Sequence, residues 1–272
     1  MDGTGIGDRR PIGACDSGVG GLSVVAELRR QMPEEDIVYF GDTANCPYGP
    51  RPADEIRCLT ERAGDFLLAR GAKIVVVACN AASAAGLEPL RARYGAAVPV
   101  VGLVPAVKPA VALTRSGIIG VLTTPATSGG ALLHDVIEQF ATPAGVRVIL
   151  AVMPGLVEAV EAGAQATPET RALLEAALVP MLAEGADVLV LGCTHYPFLR
   201  RQITEIAGPG LQMVDSGEGV ARQTRRLLAE SGRLNPGPQR GRLTLYTSGD
   251  PATAGPIMRR LLGEEVECVS SR

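Results

Sequence analysis

The sequence predicts an α/β fold of two similar, doubly wound halves with mostly parallel sheets, related by a pseudo-twofold axis and facing one another across a cleft. Three observations carry that reading. Apolar strand-like runs alternate with helical patterns along most of the chain, the signature of βαβ units. Runs such as Lys73-Ile-Val-Val-Val-Ala78 are apolar without alternation, as expected of strands covered by helices on both faces. Finally, Ile74-Val-Val-Val-Ala-Cys79-Asn80 and Val188-Leu-Val-Leu-Gly-Cys193-Thr194 share one order of features. Each has a buried strand, a cysteine, a small polar residue and then a helix, and the two cysteines stand 114 residues apart.

Taken in order, strands are expected at Pro11–Cys15, Asp36–Phe40, Lys73–Ala78, Pro99–Leu103, Ile118–Thr123, Val146–Val152 and Asp187–Leu191, with shorter ones at Leu211–Val214 and Leu243–Thr247. Leu22, Val25, Leu28 and Met32 fall on one face of a helix after the first strand. Ile56, Leu59, Ala63, Phe66 and Leu67 do the same after the second, and Gly71 is placed to end that helix in a left-handed turn. Nine strands are too many for one small sheet. The chain therefore divides into a first half, 1–103 completed by 216–272, and an inserted half, 104–215, with hinges in the Pro/Gly-rich crossings Gly102–Pro109 and Gly208–Gly217. Open α/β sheets bind ligands beyond the carboxyl ends of their strands, so facing halves would bring Cys79 and Cys193 to one cleft.

Composition removes several function classes. Across 272 residues, 26 basic against 29 acidic side chains leave a net charge of −3, too little to drive binding to nucleic acid or an anionic membrane surface. A hydrophobic content of 46% excludes disorder, and 3% aromatics with no Trp argues against base- or sugar-stacking surfaces. The opening Met1–Arg10 is polar and lacks the apolar stretch of a secretory signal. No uncharged apolar run approaches the length of a membrane span. Six cysteines, none in a C-x-x-C pair, read as free thiols of a cytoplasmic chain. Lys73 and Lys108 are the only lysines, and neither is needed as a Schiff-base residue.

Chemistry concentrates at four places. A thiolate is both nucleophile and base, and a strand end leading into a helix N-terminus favours it, which singles out Cys79 and Cys193. Cys15, Cys46, Cys58 and Cys268 lack that matched context and read as structural. The turn Cys15-Asp16-Ser17-Gly18-Val19-Gly20-Gly21 presents backbone N–H groups at a helix start, suited to an anionic group. Ser23 stands where a dinucleotide fingerprint needs its third glycine, and there is no Walker lysine. A tight βα turn with Asp16 as N-cap accounts for this segment equally well. The loop Gly41–Pro50, with Asp42, Pro47, Tyr48 and Gly49, reads as a substrate loop or as an ordinary turn. His195, two residues beyond Cys193, could tune a thiolate or shuttle protons, whereas His134 within the helical run Ala131–Phe140 reads as structural. No metal site is expected, because Cys193-x-His195 offers two ligands with no third or fourth spaced to join them.

Together, Asp16-Ser17-Gly-Val-Gly-Gly-Leu, Gly41-Asp42-Thr43…Pro47-Tyr48-Gly49, Ala78-Cys79-Asn80 and Gly192-Cys193-Thr194-His195-Tyr196-Pro197 closely resemble the glutamate racemases of the aspartate/glutamate racemase superfamily. The resemblance runs from about residue 11 to Tyr246-Thr-Ser-Gly-Asp250 and takes in Gly102–Pro109 and Pro154-Gly-Leu-Val-Glu158. It implies interconversion of L- and D-glutamate without cofactor, supplying D-glutamate for bacterial peptidoglycan. One cysteine thiolate would remove the Cα proton on one face and the other thiol would donate one to the opposite face. By that analogy Cys79 acts on D-glutamate and Cys193 on L-glutamate, assisted by Asp16 and His195 respectively, with Asp42 and Glu158 as outer acid–base helpers.

The same resemblance implies that Ser17, Asn80 and Thr194 hold the α-carboxylate and ammonium, and that Pro47-Tyr48-Gly49 receive the side-chain carboxylate. It also implies a small-molecule partner alone and a homodimer. Two departures stand out: Ala81 replaces the family's usual Thr after Cys-Asn, and Ser128-Gly129-Gly130 replaces a bulkier basic stretch. A lost hydroxyl contact to a charged substrate costs roughly 1.5–3 kcal/mol when nothing replaces it. The nearest alternative is a racemase for aspartate or another acidic amino acid, whose relatives typically carry Cys-Thr-Glu in place of Cys193-Thr-His195. A more distant one is a non-catalytic protein that binds an acidic amino acid.

Overall fold

The computed structural model describes residues 7–271. Residues 1–6, part of the polar opening Met1–Arg10 that lacks the apolar stretch of a secretory signal, and residue 272 lie outside the described residues. Among the described residues ten strands form: β1 Ile12–Asp16, β2 Ile37–Gly41, β3 Ile74–Val77, β4 Val100–Gly102, β5 Ile118–Thr123, β6 Arg147–Val152, β7 Val188–Leu191, β8 Gln212–Val214, β9 Leu243–Thr247 and β10 Cys268–Ser270. The nine expected from sequence are all present, with ends displaced by at most one residue. β10 escaped because three half-buried residues carry no periodicity; pairing with β9 creates it.

All neighbours pair in parallel. One sheet has the order β10-β9-β2-β1-β3-β4 and the other β6-β5-β7-β8. The run β2-β1-β3-β4 is thus repeated as β6-β5-β7-β8, which makes β3 and β7 corresponding strands. Each sheet reverses its winding beside β1 or β5, and such a switch point opens a crevice at the strand ends. Burial follows position: every residue of β1, β3 and β7 is buried, whereas edge strand β6 has an exposed or half-buried residue at each place.

The helices bury the faces read from sequence. Helix Leu22–Gln31 buries Leu22, Val24, Val25 and Leu28, and helix Ala53–Ala69 buries Ile56, Leu59, Ala63 and Leu67. The second ends as expected at Gly71, whose φ of +76° lets the Gly71 and Ala72 N–H groups reach back to the Leu68 and Leu67 carbonyls. Phe66 lies at the edge of that face and packs on Phe40 and Tyr246 instead. No helix among the described residues is long and apolar enough to cross a membrane.

The halves share apolar contacts. One core cluster runs from Ile12, Leu22 and Leu28 to Leu122, Leu156, Leu191 and Tyr196, so both sheets contribute to it. The two chain crossings between the sheets are tied where Ser216 Oγ donates to the Val104 carbonyl at 2.7 Å. Lys73 is fully buried, ion-paired to Glu35 at 2.5 Å and donating to the Asp8 and Arg233 carbonyls, while Lys108 sits over the Phe140 ring at 5.0 Å.

Candidate active site

The carboxyl ends of six strands converge on one small cavity. β1 delivers Ser17; β2 delivers Pro47, Tyr48 and Gly49; β3 delivers Cys79, Asn80 and Ala81. From the other sheet β5 delivers Thr124 and Thr127, β6 delivers Val157, and β7 delivers Cys193, Thr194 and His195. The cavity measures about 20 Å³ and is lined by both cysteines. That is room for little more than one water molecule, so the described state is a closed one.

Cys79 ends its strand as predicted and caps the helix Asn80–Tyr94, its Sγ accepting from the Ala82 N–H at 3.5 Å and lying 3.9 Å from Ser17 Oγ. Burial, and then the Asp16 carboxylate beside it, hold this thiol well above the usual range, so it is protonated at rest. Asp16 is itself pushed up by burial, partly countered by the charge of His195 and by hydrogen bonds from Cys79 and the Ser17 N–H. Its oxygens accept from Ser17 N at 2.6 Å, from the Gly21 N–H and, across the cleft, from Thr194 Oγ1 at 3.2 Å. It does not cap the helix conventionally: Gly21 is the N-cap residue, without a side-chain bond. Asn80 Oδ1, buried beside Cys79, has no hydrogen-bond partner among the described residues.

Cys193 leads into a turn of 3₁₀ helix, Tyr196–Leu199, before the α-helix Arg200–Ala207. Its Sγ lies 3.6 Å from Nδ1 of His195, whose Nε2 lies 2.6 Å from Oε1 of Glu161. Burial alone would lower the His195 pKa, but hydrogen bonds to Cys193, Cys46 and Glu161 outweigh it and hold the ring charged well above 6.5. Glu161 moves the opposite way: burial opposes ionisation, yet His195 and the Val19 N–H, donating at 2.7 Å, keep its carboxyl below the usual range. The glycine-rich turn therefore receives an anion, and that anion is the protein's own Glu161. Gly18 and Gly20 leave the room that pair occupies: a Cβ on them would overlap Glu161 Oε1 and His195 Nδ1.

The other sequence-selected residues divide. Pro47, Tyr48, Gly49, Asn80, Ala81, Ser17 and Thr194 all line the cavity. Asp42 is buried behind it, accepting from Tyr48 Oη at 2.7 Å, Asn45 Nδ2 at 2.9 Å and Ser248 Oγ at 2.5 Å, and so holds the loop in place. That loop reaches the far half where the Gly49 carbonyl accepts from the Ala126 N–H at 2.9 Å. Glu158 is exposed on the helix Leu156–Glu161 and does not reach His195; the carboxylate that does is Glu161. Helix phase could have revealed this, since Leu156, Val157 and Val160 form the buried face and Glu158 falls opposite it. Thr124 and Thr127 were also missed. The repeat holds the signal, because Thr124 follows β5 as Ser17 follows β1. Cys46, read as structural, has its sulfur within 4.8 Å of a His195 ring nitrogen and a Glu161 carboxylate oxygen.

A family model described as Asp/Glu/Hydantoin racemase matches residues 21–224. A glutamate racemase of Deinococcus radiodurans is 54% identical over 89% of this chain and 83% of its own length. One from Roseiflexus is 49% identical over 93% and 92%. Among solved structures, a glutamate racemase of Bacillus anthracis superposes with a TM-score of 0.85 at 31% identity, covering 97% of both chains. The Escherichia coli glutamate racemase, solved with L-glutamate and the activator UDP-MurNAc-ala, gives 0.82 at 31% identity over 96% of this chain and 97% of its own. With two parallel sheets meeting at paired cysteines and likeness of this extent, the chain belongs to the Asp/Glu/Hydantoin racemase family and is an isomerase of the racemase class.

Proposed function

We propose that this chain interconverts L- and D-glutamate without a cofactor by moving a proton off one face of Cα and returning one to the other. The observation that carries the reading is that Cys79 and Cys193 end corresponding strands of the two sheets and line the same cavity. Inversion at carbon needs a base and an acid on opposite faces, and facing halves supply one sulfur each. From L-glutamate, Cys193 takes the Cα proton, leaving a carbanion beside the carboxylate, and the Cys79 thiol donates its proton to the opposite face. The reverse direction exchanges the roles. Positioned acid–base groups of this kind contribute about 10²–10⁴-fold each.

Several features support the supporting roles. The charged ring of His195 faces Cys193, so negative charge formed at that sulfur lies beside a cation. Glu161 keeps that ring oriented and charged, and takes the outer role that the sequence reading assigned to Glu158. On the other side Asp16 stands behind Cys79, and Asp42 braces the substrate loop. The unpartnered Asn80 Oδ1 suits the substrate ammonium, while the hydroxyls of Ser17, Thr124, Thr127 and Thr194 suit its carboxylates. These hydroxyls also offset the one missing at Ala81. Admission of substrate to so small a cavity requires the halves to part at the crossings near Val104 and Ser216.

The same reading takes 1–103 with 216–272 as one domain and 104–215 as the other, a cytoplasmic homodimer, and bacterial peptidoglycan synthesis as the consumer of D-glutamate. Light scattering of the purified chain tests the dimer. The decisive experiment is incubation with each enantiomer of glutamate in deuterated buffer, following loss of the Cα proton by NMR and inversion by polarimetry. The wild type should exchange and invert, and Cys79→Ser and Cys193→Ser should each lose inversion by at least about 10²-fold. Exchange with aspartate but not glutamate would sink the substrate assignment, and silence with both would sink the chemistry.

A further inference from the structure

The cleft brings together a set of donors that the acid–base chemistry does not use as a set. Among the described residues, Cys46 Sγ, a Glu161 carboxylate oxygen and a ring nitrogen of His195 lie within 4.8 Å of one another. A thiolate, a carboxylate and an imidazole are ligand types that zinc accepts, and three protein ligands with one open position make a competent site. Donors on one tetrahedral zinc ion stand about 3.3–3.8 Å apart, so the side chains need move by about an ångström or less. The three come from separate elements: the loop after β2, the helix Leu156–Glu161 and the turn after β7. Sequence spacing could not reveal them, since Cys46 lies 115 residues from Glu161.

The geometry points to an inhibitory site for a zinc-class divalent cation held by Cys46, Glu161 and His195. Binding releases the Cys46 thiol proton and the proton between His195 and Glu161, and replaces their hydrogen bonds by bonds to the metal. Two consequences follow. The metal replaces the proton that Glu161 holds on the ring and so changes the acidity of the ring nitrogen that faces Cys193. Cys46 belongs to the first sheet's loop and the other two ligands to the second sheet's elements, so the metal staples the halves together and blocks the parting that admits substrate. The ion thus acts as a reversible clamp.

The inhibition arm rests on the racemase reading, whereas the binding arm does not. Cobalt(II) added to the full-length protein should give visible d–d bands of a tetrahedral site and a sulfur-to-metal charge-transfer band. The charge-transfer band should vanish in Cys46→Ser and persist in Cys79→Ser. Zinc(II) should inhibit racemisation, a chelator should restore it, and Cys46→Ser, measured against its own metal-free rate, should need at least ten times more zinc for half-inhibition. Circular dichroism verifies that each variant is folded. A charge-transfer band that survives in Cys46→Ser, or its absence from the wild type, would overturn the site whatever the activity shows. Equal zinc sensitivity of Cys46→Ser and wild type would overturn the clamp.

Discussion

Nε2 of His195 lies 2.6 Å from Oε1 of Glu161, and neither residue could have been paired with the other from their spacing in the chain. The contact joins the turn after β7 to the helix after β6, behind the sulfur of Cys193. It makes the Cys193 side of the cleft different in charge from the Cys79 side, where the neighbour is the Asp16 carboxylate.

Glu161→Gln should therefore lower kcat by about 10²-fold with little change in KM, since it removes charge behind the acid–base group rather than contact with substrate. The His195 resonance, one of two histidine ring signals, should titrate at lower pH in the variant. The stability effect has a defined window. His195, raised above 6.5, contributes fully below that pH and loses its contribution as pH rises through its native value. Glu161, lowered from 4.5, contributes above that pH and loses it as pH falls through its native value. The gap between wild type and variant should thus be largest between about pH 4.5 and 6.5, at roughly 1.5–3 kcal/mol, and narrow on both sides. Urea unfolding across pH measures it.

Gly20→Ala should spare the fold more than the activity. Its new Cβ would strike the His195 ring, and the ring must give way because the turn is fixed by Asp16 and Tyr39. An ångström-scale displacement of an acid–base group costs about 10²-fold in rate. Steady-state kinetics beside a melting curve would separate this from general destabilisation.

Thiol reactivity should be graded by burial. At pH 8 limited alkylation should mark the exposed Cys58 first, with Cys46, pushed up to about 12 by burial, resisting. Cys15 and Cys79, also raised by burial and by the Asp16 charge, should resist as well. Peptide mass spectrometry after a short iodoacetamide exposure reads the order; early modification of Cys79 would contradict the closed, protonated state.

Lys73→Met should unfold at lower denaturant while kcat stays near wild type. The change strands Glu35, which is buried and also holds the Asn235 N–H, so the loss should be about 3–5 kcal/mol. Replacing Glu35 by Leu in the same chain should recover part of it. A racemisation rate lost with Lys73 while the fold persists would give that lysine a chemical role.

Much of the architecture was legible because its causes are local. Continuous short runs of Val, Ile and Leu bounded by turn residues fit strands buried on both faces, and Ile74–Val77 and Val188–Leu191 are so buried. The repeated strand-then-cysteine order marked Cys79 and Cys193, since a strand end fixes where the next side chain emerges. Motif likeness carried Ser17, Asn80, Thr194 and the Pro47–Gly49 loop to the cavity wall. What the chain alone determined, then, is the fold class, the strands, the two sulfurs and the racemase family. Tertiary structure decided which carboxylate serves His195, that Gly18 and Gly20 make room for that pair instead of a ligand, and that Cys46 joins it. The reason is physical: strand and helix patterns depend on neighbours a few residues apart, whereas these contacts join separate elements, 34 residues apart for His195 and Glu161 and 115 for Cys46 and Glu161, and only sheet packing sets their distances.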